Sequence, residues 1–325
     1  MSTLQEAFAG AAARLVPALG LEAESARIEA RSLLSHALGR DRSWLAAHGR
    51  DPLPLADEVA FEALLARRLA GEPVAYLTGR REFYGLNFGI TPAVLIPRPE
   101  TELLVDLALE RLPADEPRRV LDLGTGSGCA AIAIAAQRPL ARVTAVDASE
   151  AALDVARTNA QRLLGERVGN PPPPPILKGG SRGGSADSTT PLSQRGAGGD
   201  LIQGAGRICF LHSDWFSALG DERFDLIVSN PPYVAEGDPH LGQGDLRFEP
   251  RSALAAGADG LDCIRRIVAE APARLNAGGW LLFEHGWDQA PECRNLLAAA
   301  GLQDIGSFHD LAGIARVSGA RRLTP

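Results

Sequence analysis

Apolar residues recur at three- and four-residue spacing through the first 75 positions, in Leu4-Phe8-Ala11-Leu15, in Ile28-Leu33-Leu34-Leu38 and in Val59-Leu64-Leu65-Leu69. That period lays each set along one stripe of a helix, so residues 1–75 read as a small helical domain. Pro52 and Pro54 interrupt the pattern between the second and third sets. From Phe83 to Ile90 apolar residues alternate with small or polar ones, as in a strand, and residues 76–102 read as a β-hairpin-like linker. From Val120 onward short apolar runs take turns with helical periodicity. The runs predict strands at Val120–Leu123, Arg142–Asp147, Arg207–His212, Phe224–Ser229 and Trp280–Glu284. Helices are expected at Cys129–Gln137, Glu150–Leu164, near Leu261–Leu275 and near Gln289–Ala300. A closing hairpin spans Ile305 to Leu323 around Ala312-Gly313. Apolar strands separated by helices predict an α/β domain over residues 103–325, its sheet mostly parallel and covered on both faces.

Residues 169–206 break this rhythm with five consecutive prolines (Pro171–Pro175), three Gly-Gly pairs and few large apolar groups. Such a composition buries too little surface to offset chain entropy and reads as a disordered low-complexity insertion. It joins a helix to the next parallel strand, a connection that lies at the amino edge of a sheet. Ligands bind at the opposite, carboxyl edge, so the insertion is expected to leave the chemistry untouched.

Charge and composition narrow the function classes. A formal net charge of −7 argues against a surface that neutralises many phosphates. Up to Ile90, ten arginines face eleven carboxylates, so the N-terminal domain is no basic nucleic-acid arm. Four scattered cysteines, without a Cys-x-x-Cys pair, read as reduced thiols of a cytoplasmic protein. Six equally scattered histidines suggest no metal site. The apolar run Cys129 to Ala136 is far too short to span a bilayer, and the first eight residues lack the pattern of a signal peptide. No membrane and no direct nucleic-acid partner are expected.

The first predicted strand ends in Asp122-Leu-Gly124-Thr-Gly126-Ser-Gly128 and runs straight into a helix. Glycines here allow a sharp turn and let a ligand approach the main chain. The Gly-x-Gly-x-Gly spacing differs from the dinucleotide fingerprint and, with an acidic residue before it, resembles the S-adenosylmethionine loop of class I methyltransferases. Asp147 ends the second strand, where a carboxylate can accept two ribose hydroxyls. Asp214-Trp215 follows the third strand and offers an indole for an adenine to pack on, with a carboxylate near its amine. Alone, each feature has a plainer reading: a tight turn or a core tryptophan. Arriving in order at the ends of successive strands, they read as one cofactor site.

The fourth strand delivers Asn230-Pro231-Pro232-Tyr233 beside that loop. As an isolated tetrapeptide it would be a proline-rich turn with a capping asparagine. At this place it suits transfer to a planar nitrogen, whose delocalised lone pair attacks a methyl sulfonium poorly. The Asn230 side-chain oxygen and the Pro231 carbonyl can accept the two N–H hydrogens and hold the nitrogen in line. Pro231 and Pro232 stiffen the backbone, and the Tyr233 ring offers a surface for stacking. Positioning of this kind supplies roughly 7–11 kcal/mol in favourable cases, and acceptors aimed at developing positive charge add to it. The motif leaves three acceptors open: exocyclic amines of adenine or guanine, and the amide of glutamine.

At this point the chain resembles the release factor glutamine methyltransferases (the PrmC/HemK family). The resemblance rests on the helical N-terminal domain, Ile96-Pro-Arg-Pro-Glu-Thr-Glu102, Asp122 to Gly128, Asp214-Trp-Phe216 and Asn230 to Tyr233. It continues in Phe248-Glu-Pro250, Asp259-Gly-Leu-Asp262, Gly278-Gly279 with Glu284, and Asp310-Leu-Ala-Gly313. It implies a class I, Rossmann-like methyltransferase domain with a mostly parallel seven-stranded sheet behind a small helical N-terminal domain. It also implies S-adenosylmethionine contacts at Gly124, Thr125, Gly126, Ser127, Gly128, Asp147, Trp215 and Asn230, with no metal. Glutamine would be held by Asn230, Pro231, Pro232 and Tyr233, of which Asn230, Pro231 and Tyr233 act in catalysis. The implied substrate is the Gly-Gly-Gln loop of class 1 peptide chain release factors. Glu100 and Glu102 fall in the first turn of a helix, where negative charge is favoured whatever else they do. The rival readings are an adenine-N6 DNA or RNA methyltransferase, a glutamine methyltransferase acting on a ribosomal protein, and a non-catalytic scaffold that only binds release factors.

Overall fold

The computed structural model describes residues 2–165 and 208–323. The expected insertion, 169–206, lies outside the described residues. Five helices open the chain: α1 (Leu4–Leu19), α2 (Ala23–Leu38), α3 (Arg42–Ala47), α4 (Leu55–Leu69) and α5 (Val74–Thr78). Local chemistry sets their ends. Thr3 and Glu6 form a reciprocal capping box on α1, Asp41 caps α3, and left-handed Gly20 and Gly39 stop α1 and α2. Leu15, Leu33, Leu34, Phe61 and Leu65 meet in a core of their own. Two apolar residues assigned to buried stripes face solvent instead, Ile28 at 53% exposure and Val59 at 64%. The stripe of α4 runs through Phe61, Leu65 and Arg68, and Val59, two residues before Phe61, falls on the opposite face. The two short helices α3 and α5 are too brief to give a readable period.

The stretch from Phe83 to Ile90 is not one strand. β1 (Arg80–Phe83) and β2 (Leu86–Gly89) pair antiparallel across Tyr84-Gly85. Both turn residues have positive φ, 53° and 71°, the pair of values that a two-residue hairpin turn matching the strand twist requires. Glu102 accepts the Tyr84 backbone N–H at 2.8 Å and Asp106 accepts its hydroxyl at 2.7 Å, which secures this unusual turn to the following helix.

The remaining elements alternate: α6 (Glu102–Arg111), β3 (Arg119–Leu123), α7 (Cys129–Gln137), β4 (Arg142–Asp147), α8 (Glu150–Leu164), β5 (Ile208–His212), β6 (Phe224–Ser229), α9 (Asp262–Arg274), β7 (Leu275–Glu284), α10 (Ala290–Ala299), β8 (Gln303–His309) and β9 (Ala315–Arg321). The sheet order is β5-β4-β3-β6-β7-β9-β8. Pairings from β5 to β7 are parallel and the last two are antiparallel. Alternate residues split between two cores: Val120, Leu226, Val228 and Leu282 pack with α6, α7 and α8, whereas Leu121, Leu123, Ile227 and Leu281 pack with α9 and α10. Strand β7 begins at Leu275, five residues before the expected start. Gly278, at φ +77°, and Gly279, where a Cβ would lie 3.0–3.1 Å from three carbonyl oxygens, carry the strand across an irregularity in its pairing with β6. Glycines that read as a break are the means of continuing.

Chain order reverses between β3 and β6: β4 and β5 lie on one side of β3, β6 and β7 on the other. A crevice opens at the carboxyl ends of strands at such a switch point. Ser229 Oγ closes its floor by donating to Leu123 O at 2.8 Å.

Candidate active site

At the end of β3 the backbone turns through Gly124, Gly126 and Gly128, with φ of +70°, +55° and +82°. Gly124 and Thr125 both donate to Val146 O at 2.9 Å, tying the loop to β4. Thr125 Oγ1 donates to Asp122 at 2.6 Å. Burial pushes the Asp122 carboxyl up to about 6, with the Thr125 hydroxyl pulling the other way. The three glycines serve different ends. A side chain on Gly126 would meet nothing within 4 Å, because it faces open cavity, whereas a Cβ on Gly128 would press Ile132 Cδ1 at 2.9 Å and Ala156 Cβ at 3.2 Å. Gly126 therefore leaves the cavity open and Gly128 admits α7 against α8. Ser127 Oγ is buried without a hydrogen-bond partner among the described residues, as a hydroxyl meant for a bound molecule would be.

Asp147 ends β4 and receives the Gly126 N–H on one oxygen and the Ser149 N–H on the other, each at 2.9 Å. Burial raises its pKa and these amides oppose the rise. Each oxygen keeps a lone pair for an incoming hydroxyl. Trp215 sits at φ +52°, a conformation costing about 1–2 kcal/mol in a residue with a side chain. Ser213 Oγ braces this turn by donating to Trp215 O and accepting from Ala218 N. The indole edge comes within 3.6 Å of where a Cβ on Gly124 would be. Asp214 also borders the cavity, and its carboxylate pairs with Arg266 at 2.8 Å.

These groups line a cavity of about 550 Å³. Of the expected residues, Gly124, Thr125, Gly126, Ser127, Asp147, Trp215, Asn230 and Pro232 border it. Gly128, Pro231 and Tyr233 do not. Gly128 acts through packing, and the Tyr233 ring lies against the core beneath α9 and α10. Its hydroxyl donates to Glu284 Oε1 at 2.9 Å and its carbonyl accepts from Gln289 Nε2 at 3.0 Å. Tyr233 thus braces the tetrapeptide from behind. Burial and the Glu284 carboxylate both raise its pKa, so it stays a phenol.

Asn230 borders the cavity from the end of β6. Its Nδ2 donates to Thr101 Oγ1 at 3.0 Å, leaving Oδ1 for whatever enters. Thr101 Oγ1 in turn donates to Glu284 Oε2 at 2.7 Å. Sequence reasoning named neither partner for Asn230: Thr101 is 129 residues away and Glu284 joins through Thr101. Pro97 and Pro250 of the other motifs also border the cavity, while their acidic members hold the backbone in place. Glu249, 4% exposed, accepts the Ile96 N–H at 2.9 Å and pairs with Arg98, which fixes the proline-flanked connector ahead of Thr101. Asp259 accepts the Leu261 N–H at the start of α9. Asp310 accepts the Ala312 and Ile314 N–H groups, both at 2.9 Å, in the β8–β9 turn. Cys129 and Cys263, both half-buried, also border the cavity, and all four cysteines are free. Among the described residues no three His, Cys, Asp or Glu side chains gather as a metal site.

A seven-stranded sheet in this order, with a glycine loop at its switch point, defines a class I methyltransferase. Residues 6–79 match the family described as the PrmC N-terminal domain and residues 101–167 the methyltransferase small domain. The release factor glutamine methyltransferase of Bordetella pertussis is 49% identical over 294 residues, covering 90% of this chain and 94% of the relative. Those of Burkholderia pseudomallei (49% over 311 residues, 95% of each chain) and Escherichia coli (40% over 295 residues, 91% and 92%) align as fully. The chain belongs to the release factor glutamine methyltransferase family.

Proposed function

We propose that the protein transfers a methyl group from S-adenosylmethionine to the side-chain amide nitrogen of the glutamine in the Gly-Gly-Gln loop of class 1 peptide chain release factors. The observation that carries this reading is the Asn230 amide at the cavity wall, its nitrogen held by Thr101 and its oxygen without a protein donor among the described residues. Bound beside the glycine loop, S-adenosylmethionine would supply an electrophilic methyl on a sulfonium. Gly124 to Ser127 suit its amino-acid end, Asp147 its ribose and Trp215 its adenine. Asn230 Oδ1 takes one hydrogen of the glutamine amide and orients its nitrogen, while Pro232 closes the near wall; the Pro231 carbonyl, expected to take the other hydrogen, would have to act from outside the cavity lining. The tetrapeptide itself holds no strong general base, which fits a proton lost to solvent after transfer.

The N-terminal helices suit a grip on a folded protein partner while the cavity receives one extended loop. The balanced charge of that domain and the net charge of −7 speak against a nucleic-acid acceptor. No helix among the described residues is long and apolar enough to cross a membrane, and the reading places the enzyme's work in the cytoplasm with its substrates. The test incubates labelled donor with unmodified release factor, with a Gln→Ala variant of its loop, and with tRNA and DNA. Label is expected on the unmodified factor alone; label on nucleic acid and none on the factor would end the assignment.

A further inference from the structure

A carboxamide can be turned end for end with almost no change of shape. Asn230 serves as an acceptor only if its oxygen, not its NH2, faces the cavity. Thr101 decides between the two. A hydroxyl has one proton to give, and Thr101 gives it to Glu284 Oε2 at 2.7 Å. Burial raises the Glu284 pKa while the Thr101 and Tyr233 hydroxyls oppose the rise; in its ionised form the carboxylate can only accept, so this bond then runs from Thr101. Thr101 Oγ1 is then left with lone pairs toward Asn230, and these admit only the N–H side of the amide, which donates at 3.0 Å. The second Glu284 oxygen is already taken by the Tyr233 hydroxyl at 2.9 Å. Glu284 is 1% exposed and away from the cavity lining, so no bulk water offers it an alternative partner, and Thr101, 2% exposed, meets solvent only at the cavity wall. The four groups come from the end of β7, the start of α6, the end of β6 and the loop after it, and they meet only in the folded protein.

We propose that Glu284 is a positioning residue for methyl transfer: through the proton of the Thr101 hydroxyl it holds the Asn230 amide with its oxygen toward the acceptor. The same polarity makes the site select a carboxamide over a carboxylate, because a group with N–H hydrogens satisfies that oxygen and one without them leaves it unpaired. This rests on the reading of Asn230 as the acceptor of the glutamine N–H.

Glu284→Gln breaks the polarity with almost no change of volume. A glutamine there can donate to Thr101, freeing the Thr101 proton for Asn230 Oδ1 and turning the NH2 into the cavity. The experiment uses the full chain, S-adenosylmethionine and unmodified release factor, with a Gln→Glu variant of the factor's loop as competitor. For Glu284→Gln, kcat is expected to fall about 10- to 100-fold, with donor Kd within about twofold of the parent. The glutamate-bearing factor should compete about tenfold better than it does against the parent. Thr101→Val alters no charge and should move both readings the same way, whereas Thr101→Ser keeps the hydroxyl and should restore them. The double variant should be no worse than either single one, since both cut one chain of bonds. The threonine pair reads the junction with Glu284 intact, so it decides the matter even if Glu284→Gln fails to fold. Near-parental kcat in Thr101→Val beside an inactive Asn230→Ala would overturn the proposal. So would a loss of turnover that leaves competition by the glutamate form unchanged. Full turnover by Asn230→Ala would instead remove the acceptor role itself, and this proposal with it.

Discussion

The helical bundle and the sheet domain treat buried polar groups in opposite ways. Among the described residues the bundle buries one, Arg68, while the sheet domain and its connector bury Thr101, Asp122, Thr125, Ser127, Asn159, Ser213, Ser229, Glu249, Glu284, His285 and Ser318. The bundle is an apolar object whose single polar commitment faces outward. Arg68 binds Glu29 on α2 at 2.7 Å, the carbonyls of Gly71 and Glu72, and Asp245 of the catalytic half at 2.8 Å. In the sheet domain, buried polar groups gather at the carboxyl edge and orient one another. The contrast teaches where each half can be altered: the bundle through its volume, the sheet edge through its hydrogen-bond directions.

Four changes break or sharpen this contrast. Asn230→Ala should have the largest effect, a loss of about 10²–10³ in kcat, with thermal unfolding shifted by no more than about 2 °C; steady-state rates and calorimetry check both. Arg68→Ala strands Glu29 and removes the tie to Asp245, so it should cost about 3 kcal/mol of stability in a denaturant titration. Its turnover per folded molecule should hold at saturating release factor.

Asp122→Asn tests the sheet side by pH. Burial holds the Asp122 carboxyl at about 6, against about 4 in an unfolded chain. As pH rises between those values the unfolded chain releases its proton first, so the folded state binds more protons and loses stability, levelling off above pH 6. A side chain that cannot ionise escapes this loss. The variant should therefore gain on the parent by up to about 3 kcal/mol between about pH 4 and 6.5, read from paired urea melts. A difference that stays flat across that range would mean that Asp122 is not held protonated. The smallest effect is expected from excising residues 169–206, which should leave kcat within about twofold and change stability by only a few tenths of a kcal/mol through loop length.

The sequence made the glycine-loop wall of the crevice legible because its signals are local. Gly124 to Gly128, Asp147 and Trp215 each lie at the end of a strand whose apolar run announces it, and the fold brings all but Gly128 to the cavity wall. Of the tetrapeptide after β6, only Asn230 and Pro232 reach the cavity wall. Tyr233 reads as a stacking surface when it is taken alone. It is the hydroxyl bond to Glu284, 51 residues away, that turns the ring into the core. Thr101 sits inside the Ile96–Glu102 motif, yet nothing there announces its partners, because both of its hydrogen bonds reach distant segments. Hairpin residues Tyr84 and Gly85 escape a period-two reading for a related reason: alternation records which face a side chain takes, not where the chain reverses.

The parallel pairing of β4 with β5 brings Val143 opposite Ile208, so the chain leaves α8 and re-enters the sheet on the side remote from the crevice. That makes the α8–β5 junction an entry port for protein engineering. A fluorophore, an affinity handle or a second folded unit spliced there would be carried by the catalytic body without shading the substrate's approach. Single-molecule observation of release-factor capture becomes practicable on this scaffold without labelling either end of the chain.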